Sequence, residues 1–143
     1  DKFNIERIQK NMALNPDLTD NIKIEDLLLW DKNEWIDFYE AGTVGSSAVW
    51  MPDAEHCVKK QAVTIDSWAK SNAITRLDFI KMDIEGAEFD ILNSIFADPA
   101  LCPVEALYVE THEMLDPAKI PLIDRLRTEA ETLPRPVVNL YWP

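Results

Sequence analysis

The chain contains no long apolar stretch and few cysteines. No run approaches the roughly 18 apolar residues that a transmembrane helix requires, and no segment resembles a signal peptide. Two cysteines, Cys57 and Cys102, occur among the 143 residues, and their spacing does not match that of a metal site. We therefore expect a protein that is not inserted in a membrane and that resides in the reducing cytoplasm.

Basic residues are also few. The chain has 14 Lys and Arg against 26 Asp and Glu, which gives a formal net charge of -12. Nucleic acids and anionic membranes bind clusters of Lys and Arg, so neither is an expected partner. Most of the acidic side chains are expected to form a soluble surface.

Glycine is scarce, with three residues in the chain. In many α/β proteins a Gly-rich turn between the first strand and the first helix holds a nucleotide-type cofactor, and this chain has no such turn. Gly42 and Gly45 follow a predicted strand instead of opening a helix, so their spacing favours a loop or hairpin over a phosphate-binding loop.

Strands and helices alternate along the predicted chain. Apolar residues recur at three- and four-residue spacings in the helices, and run together or alternate in the strands. The predicted helices cover residues 4–14, 66–71, 84–96 and 120–131, and the predicted strands cover 22–30, 34–41, 58–63, 77–83, 104–111 and 137–142. The helix at 66–71 is capped by Thr64 or Asp66. This order is typical of a single α/β domain with a largely parallel sheet.

The junction between the strand at 77–83 and the following helix is unusually acidic. Asp83, Glu85 and Glu88 lie where the buried strand ends. Ligands of open α/β sheets bind at the carboxyl ends of strands, and carboxylates there are costly to desolvate unless they are paired. Glu88 can equally be an acidic residue that the dipole of a helix N-terminus favours. Asp83, at the end of the strand, is the stronger candidate for a functional residue.

The same junction carries a family resemblance. Residues 81–88 read Lys-Met-Asp-Ile-Glu-Gly-Ala-Glu and follow Thr64-Ile65-Asp66, which resembles the signature of the FkbM family of S-adenosylmethionine-dependent methyltransferases. The helix at 6–15, with its Asn-x-x-x-Asn ending, and the strand at 108–112, which ends in Glu-x-His, are also similar to the family. The resemblance implies a Rossmann-like class I methyltransferase sheet, mostly parallel, with S-adenosylmethionine as the cofactor.

The resemblance also predicts how much of the domain is present. In the family, the cofactor loop and the acidic residue that binds the ribose precede the helix that begins here near Lys2. Residues 1–143 are therefore expected to be a single, partial methyltransferase domain that lacks the first strands of the sheet and is inactive alone. The family places two strands between those at 22–30 and 77–83, so these two should not pair within the chain.

Four residues are predicted to form the site. If the methyl acceptor is a hydroxyl, a base must take its proton, and His112 is the candidate because an imidazole ordinarily titrates near pH ~6.5. Glu110, two residues earlier on the same strand face, could orient that imidazole. Asp83 and Glu85 would hold the acceptor or the amino group of the cofactor. A histidine at a strand end can also be an ordinary polar loop residue.

Adenine contacts are expected after the strand at 22–30, where the resemblance points to Asp26 and Leu27. Asp26 could accept a hydrogen bond from an exocyclic amine. Leu27 and Leu28 are bulkier than the residues that the family has there. Trp50, in the predicted loop at 42–56, is expected to line a substrate pocket.

The predicted function is methyl transfer from S-adenosylmethionine to a hydroxyl oxygen, with a sugar, glycan or small secondary metabolite as the acceptor. One alternative is a metal-dependent hydrolase, since the four site residues are of the kind that bind Mg²⁺ or Mn²⁺, although no phosphatase or nuclease motif accompanies them. The other alternative is a truncated, non-catalytic domain that folds by self-association.

Overall fold

The computed structural model describes residues 1–41, 46–48 and 56–141 of the chain. The interpretations of Gly42, Gly45, Trp50 and the end of the strand at 137–142 concern residues outside these ranges. The described helices are α1 (Lys2–Leu14), α2 (Pro16–Thr19), α3 (Ile65–Ser71), α4 (Glu88–Ala97) and α5 (Ile120–Ala130). The described strands are β1 (Leu28–Leu29), β2 (Glu34–Glu40), β3 (His56–Val63), β4 (Leu77–Met82), β5 (Val104–Val109) and β6 (Val137–Asn139). None of these helices is long and apolar enough to cross a membrane.

The strands form two three-stranded sheets. In the parallel sheet (β4, β5 and β6), β5 lies in the centre and both neighbours run parallel to it. In the mixed sheet (β1, β2 and β3), β3 is central, parallel to β1 and antiparallel to β2. This arrangement confirms the expected mixed α/β class with a parallel sheet. Since β1 and β4 belong to different sheets, the strands predicted at 22–30 and 77–83 are not paired with each other, as expected.

The predicted strand at 22–30 is wrong over most of its length. Only Leu28 and Leu29 pair with another strand, at the C-terminal end of β3. Alternating apolar residues are not sufficient to form a strand, because its amides and carbonyls also need a neighbouring backbone. Among the described residues of this segment, the β3 backbone meets Leu28 and Leu29, and the Trp30 amide donates to the Val63 carbonyl at 2.9 Å.

The helix after β4 begins later than predicted. The apolar spacing predicts helix from residue 84, whereas α4 begins at Glu88. Glu85 and Gly86 have positive φ values of 56° and 99°, and a left-handed backbone cannot continue a right-handed helix. Residues 83–87 therefore form a turn between β4 and α4, called here the 83–87 turn.

Helix α3 is capped by Thr64, one of the two residues that the sequence allows. Thr64 Oγ1 accepts a hydrogen bond from the Ser67 amide at 3.1 Å. Asp66 instead lies in the first turn of the helix, where its carboxylate is 2.8 Å from Lys70 Nζ. Asn33 Oδ1 accepts from the Thr64 amide at 2.9 Å, which ties the start of α3 to the segment that precedes β2.

Helices α4 and α5 pack on one face of the parallel sheet. The buried core combines strand and helix residues: Met82, Val104, Leu107, Val109, Phe89, Ile91, Leu92, Ile95, Ile123 and Leu126. Full burial of one such side chain stabilises the fold by about 1.5–3 kcal/mol, so this core fixes β4 and β5 side by side. On the opposite face, Phe79 is 65% exposed and meets Tyr108 edge-on, with ring centroids 6.4 Å apart.

Candidate active site at the ends of β4 and β5

The candidate site lies where β4 and β5 end together. Met82 pairs with Val109 at the last position of the two strands, and the Glu110 amide donates a hydrogen bond to the Met82 carbonyl at 3.0 Å. The 83–87 turn and the segment that carries His112 therefore leave the sheet at the same edge. This is the carboxyl edge at which ligands of parallel sheets bind.

Hydrogen bonds with the side chains of Glu88 and Ser47 hold the left-handed backbone of the 83–87 turn. The Gly86 amide donates to Glu88 Oε2 at 2.9 Å and the Ile84 amide donates to Glu88 Oε1 at 3.1 Å. The buried Ser47 hydroxyl donates to the Glu85 carbonyl at 2.7 Å. Gly86 adopts a positive φ without a steric penalty, whereas Glu85 requires such surrounding contacts to keep this conformation.

The Glu88 carboxylate is the central acceptor of the site. Its side chain is 0% exposed, and a carboxylate so deeply buried must be paired and hydrogen-bonded. Besides the two amides of the turn, it contacts the imidazole of His112, with Glu88 Oε1 2.8 Å from Nδ1. An ionised carboxylate only accepts, so an ionised Glu88 pairs with a protonated Nδ1 of His112.

The other imidazole nitrogen of His112 faces the remaining carboxylates. Its Nε2 lies 3.7 Å from Asp83 Oδ1 and 3.8 Å from Glu85 Oε2, which is beyond hydrogen-bonding distance. The side chain of His112 is 12% exposed. Neutral His112 with a proton on Nδ1 therefore presents an Nε2 lone pair at the edge of the sheet, within reach of a molecule that binds there.

Lys81 supplies a positive charge next to Asp83. Its Nζ is 2.7 Å from Asp83 Oδ2. The hydrogen bond with Asp83 raises the pKa of Lys81, and the nearby charge of Glu110 acts in the same direction. The ammonium therefore stays protonated and offsets part of the negative charge that gathers at the strand ends.

A second ion pair holds the segment that follows His112. Arg127 donates to Glu113 Oε1 at 2.9 Å and lies near the Thr111 hydroxyl, 3.4 Å away. Burial by itself would raise the pKa of Glu113, but hydrogen bonds from its own backbone, Thr111 and Arg127 lower it overall. Arg127 thus anchors both neighbours of His112 to helix α5.

A cavity of about 390 Å³ adjoins the 83–87 turn. Leu27, Leu28 and Leu29 contribute apolar surface to it, and Asp83 and Glu85 contribute carboxylates. Leu27 is thus placed beside the predicted site residues.

Asp26 does not line this cavity, and its contact with the adenine stays a prediction. Its carboxylate pairs with Lys60, and it lines a separate open depression with Trp35 and Lys59. The physical reason is that the Lys60 ammonium, on the neighbouring strand β3, neutralises the Asp26 charge on that side of the mixed sheet.

The structure brings Asp83, Glu85, Glu110 and His112 to one edge. Ligand atoms of Asp83, Glu110 and His112 all lie within 4.8 Å of one another. Acidic groups at a partly exposed edge often gather without an ion, and Lys81 already pairs with Asp83. Among the described residues, no further observation favours the metal-dependent hydrolase.

The sequence predicts that Glu110 orients His112, whereas the structure gives this imidazole a different hydrogen-bond partner. The described residue that hydrogen-bonds its ring is Glu88, which the sequence also allows to be an ordinary acidic residue at a helix N-terminus. A usable signal is nevertheless present. Glu88 follows Ile84 by four residues and precedes Ile91 by three, so it lies on the apolar face of the helix. A carboxylate there indicates a buried group with a partner.

The comparisons with known proteins agree with this geometry. The family model described as the methyltransferase FkbM domain matches residues 2–129. No curated protein and no solved structure matches the chain significantly. The match spans the acidic turn, the histidine segment and most of helix α5. The chain therefore belongs to the FkbM methyltransferase domain family.

Proposed function

We propose that this chain serves methyl transfer from S-adenosylmethionine to a hydroxyl oxygen of a sugar or secondary metabolite. The observation that carries the proposal is the pairing of Glu88 with His112 Nδ1 at 2.8 Å. This pairing leaves Nε2 to act on an acceptor at the carboxyl edge of the sheet. A hydroxyl acceptor needs such a base because its oxygen must lose a proton when it gains a methyl group.

The cavity beside the 83–87 turn fits the cofactor that the family implies. S-adenosylmethionine supplies a methyl group that its sulfonium has already activated. The three leucines, Leu27–Leu29, offer an apolar surface for an adenine ring, and Asp83 and Glu85 offer negative charge to a sulfonium or ammonium group. The volume of about 390 Å³ lies within the range of about 300–1,000 Å³ that is usual for ligand pockets.

The chain's own residues then orient the acceptor and move its proton. His112 Nε2 would take the hydroxyl proton as the acceptor oxygen bonds the methyl carbon and the bond of that carbon to the cofactor's sulfur breaks. Glu88, Asp83 and Glu85 stabilise the resulting imidazolium, because their carboxylates surround it. The parallel-sheet core beneath the site keeps the reacting groups in place, which supplies much of the rate advantage of a bound over a free reaction.

The charges at the site select the chemical class of the acceptor. Asp83 and Glu85 can accept hydrogen bonds from additional hydroxyl groups, as a sugar or a polyhydroxylated metabolite provides. An anionic acceptor would be repelled by the same carboxylates. A neutral acceptor with several hydroxyl groups therefore fits this edge of the sheet best.

The test is methyl transfer by the complete enzyme that contains residues 1–143, as the wild type and as two histidine variants. The protein is incubated with S-adenosylmethionine carrying a labelled methyl group and with a panel of neutral polyhydroxylated acceptors. We expect the label on oxygen. We expect kcat to fall about 100-fold or more for His112→Gln, because this variant loses general base catalysis. His56→Gln is the matched control, because His56 is exposed at the start of β3. Label on nitrogen or sulfur, or full activity of His112→Gln, would refute the proposal.

A further inference from the structure

We infer that Glu88 is a positioning residue that fixes the tautomer of His112 and couples it to the shape of the 83–87 turn. The inference rests on the proposed function in that His112 acts as the base. Glu88 itself is 0% exposed and meets the imidazole at Nδ1, so its role is to act through His112 and not on the acceptor.

Hydrogen-bond donors surround the Glu88 carboxylate. Glu88 Oε2 accepts from the Gly86 amide at 2.9 Å, and Oε1 accepts from the Ile84 amide at 3.1 Å. Oε1 also receives His112 Nδ1 at 2.8 Å. Among the described residues, the hydrogen-bond partners of this carboxylate are two backbone amides and a ring nitrogen. Its side chain is 0% exposed. The surroundings are therefore built for an acceptor at this position.

The Glu88 carboxylate determines which nitrogen of the His112 imidazole carries the proton. A neutral histidine carries one ring proton, and the hydrogen bond made by one nitrogen decides where that proton resides. An acceptor at Nδ1 holds the proton there and leaves Nε2 with its lone pair. The opposite tautomer would place a proton on Nε2 and prevent it from acting as a base. Glu88 thus selects the one neutral form of His112 that can take a proton from the acceptor.

Glu88 also links the tautomer to the neighbouring carboxylates. Glu88 Oε1, which contacts Nδ1, also accepts from the amides of Ile84 at 3.1 Å and Gly86 at 3.2 Å, and these residues flank Glu85. A change in the Glu88 side chain therefore disturbs the imidazole and the 83–87 turn together. This linkage distinguishes Glu88 from Glu110, which belongs to the same edge but has no recorded hydrogen bond to the ring.

The inference is tested by nitrogen NMR of the protein labelled in its histidine side chains. The chain has two histidines, and His56→Gln assigns the remaining signals to His112. At a pH where both rings are neutral, we expect wild-type His112 to show a protonated Nδ1 and an unprotonated Nε2. Glu88→Leu removes the acceptor at Nδ1 while Asp83 and Glu85 still face Nε2, so the proton should move to Nε2.

Glu85→Gln is the matched control. It removes one formal negative charge close to the same ring, since Glu85 Oε2 lies 3.8 Å from His112 Nε2, but it leaves the acceptor at Nδ1 intact. We expect the wild-type tautomer in this variant. A proton on Nε2 in the wild-type protein overturns the inference even if Glu88→Leu does not fold, and an unchanged tautomer in folded Glu88→Leu overturns it equally.

Kinetics separate this inference from the proposed function. If both hold, Glu88→Leu lowers kcat at least about tenfold, because neutral His112 then carries its proton on Nε2 and cannot act as the base. A wild-type protein that shows the expected tautomer but transfers no methyl group to any hydroxyl refutes the proposed function alone. A wild-type protein that methylates hydroxyls while carrying its proton on Nε2 refutes the positioning role alone.

Discussion

At the scale of single residues, the balance of charge around Asp83 separates catalysis from stability. Its pairing with Lys81 is partly exposed, with 47% of the Lys81 side chain and 37% of the Asp83 side chain accessible. Exposed pairs of this kind contribute little to folding, because water and salt screen them. Asp83 also lies 3.7 Å from the nitrogen proposed as the base. Its removal should therefore affect turnover more than folding.

The variant Asp83→Asn tests this separation. It keeps the size of the side chain and removes its charge, so we expect kcat to fall at least about tenfold, which equals about 1.4 kcal/mol of transition-state stabilisation. The melting temperature should change little. The measurement pairs steady-state kinetics with thermal unfolding.

Asp78→Asn is the control for Asp83→Asn. Asp78 belongs to the same strand, pairs with Arg76 at 3.3 Å and has a side chain that is 85% exposed. We expect neither its activity nor its melting temperature to change. If Asp83→Asn is fully active but melts many degrees lower, Asp83 is a structural partner of Lys81 and has no role in turnover.

At the scale of elements, local patterns were predictable and long-range pairing was not. The β4–α4 unit and helix α5 follow from apolar spacing, which depends on neighbours in sequence. The strand at 22–30 was overestimated because its length depends on where β3 lies. The start of α4 was misplaced because the left-handed backbone of Glu85 depends on contacts from Ser47 and Glu88. The sequence predicts that Asp83, Glu85, Glu110 and His112 lie at one edge of the sheet. The contact of His112 with Glu88 depends on how α4 packs against β5, which is not visible in the sequence.

Helix α3 offers a test at the element scale, because the sequence allows two caps and the structure selects one. Thr64→Ala removes the side chain that accepts from Ser67 and should lower the free energy of unfolding by about 1 kcal/mol. Asp66→Ala removes the exposed pair with Lys70 and should cost only about 0.2–0.5 kcal/mol. Urea unfolding of both variants measures the difference. A larger loss for Asp66→Ala would show that the wrong residue has been identified as the cap.

At the scale of the whole molecule, acid should weaken the protein partly through the ion pair beside the site. The pKa of Glu113 is lowered from its ordinary value of 4.5, so its ionised form favours the folded state. A lowered folded-state pKa gives a contribution that is present above the unfolded pKa and is lost as the pH falls through the folded pKa. The stabilisation from Glu113 and Arg127 should therefore be complete at neutral pH and disappear below 4.5.

The variant Glu113→Gln isolates this effect. The net charge of -12 also changes with acid, so the informative quantity is the difference in unfolding free energy between the variant and the wild-type protein. We expect Glu113→Gln to be less stable at neutral pH and the difference to shrink as the pH falls below 4.5. Glu129→Gln is the control, since its pair with Arg125 is exposed and 3.7 Å long. A difference that stays constant with pH would contradict the assignment.

The buried Glu88 carboxylate also couples the motion of the 83–87 turn to that of the His112 imidazole. The amide of Gly86 and the Nδ1 of His112 end on the same side chain, although they come from a turn and from a different strand segment. A fluctuation of the Glu88 side chain releases both groups at once, because the same carboxylate holds the amide and the ring nitrogen. The turn and the imidazole should accordingly open and close together as one small cooperative unit. The lifetime of the closed turn then sets how long the base keeps its working orientation.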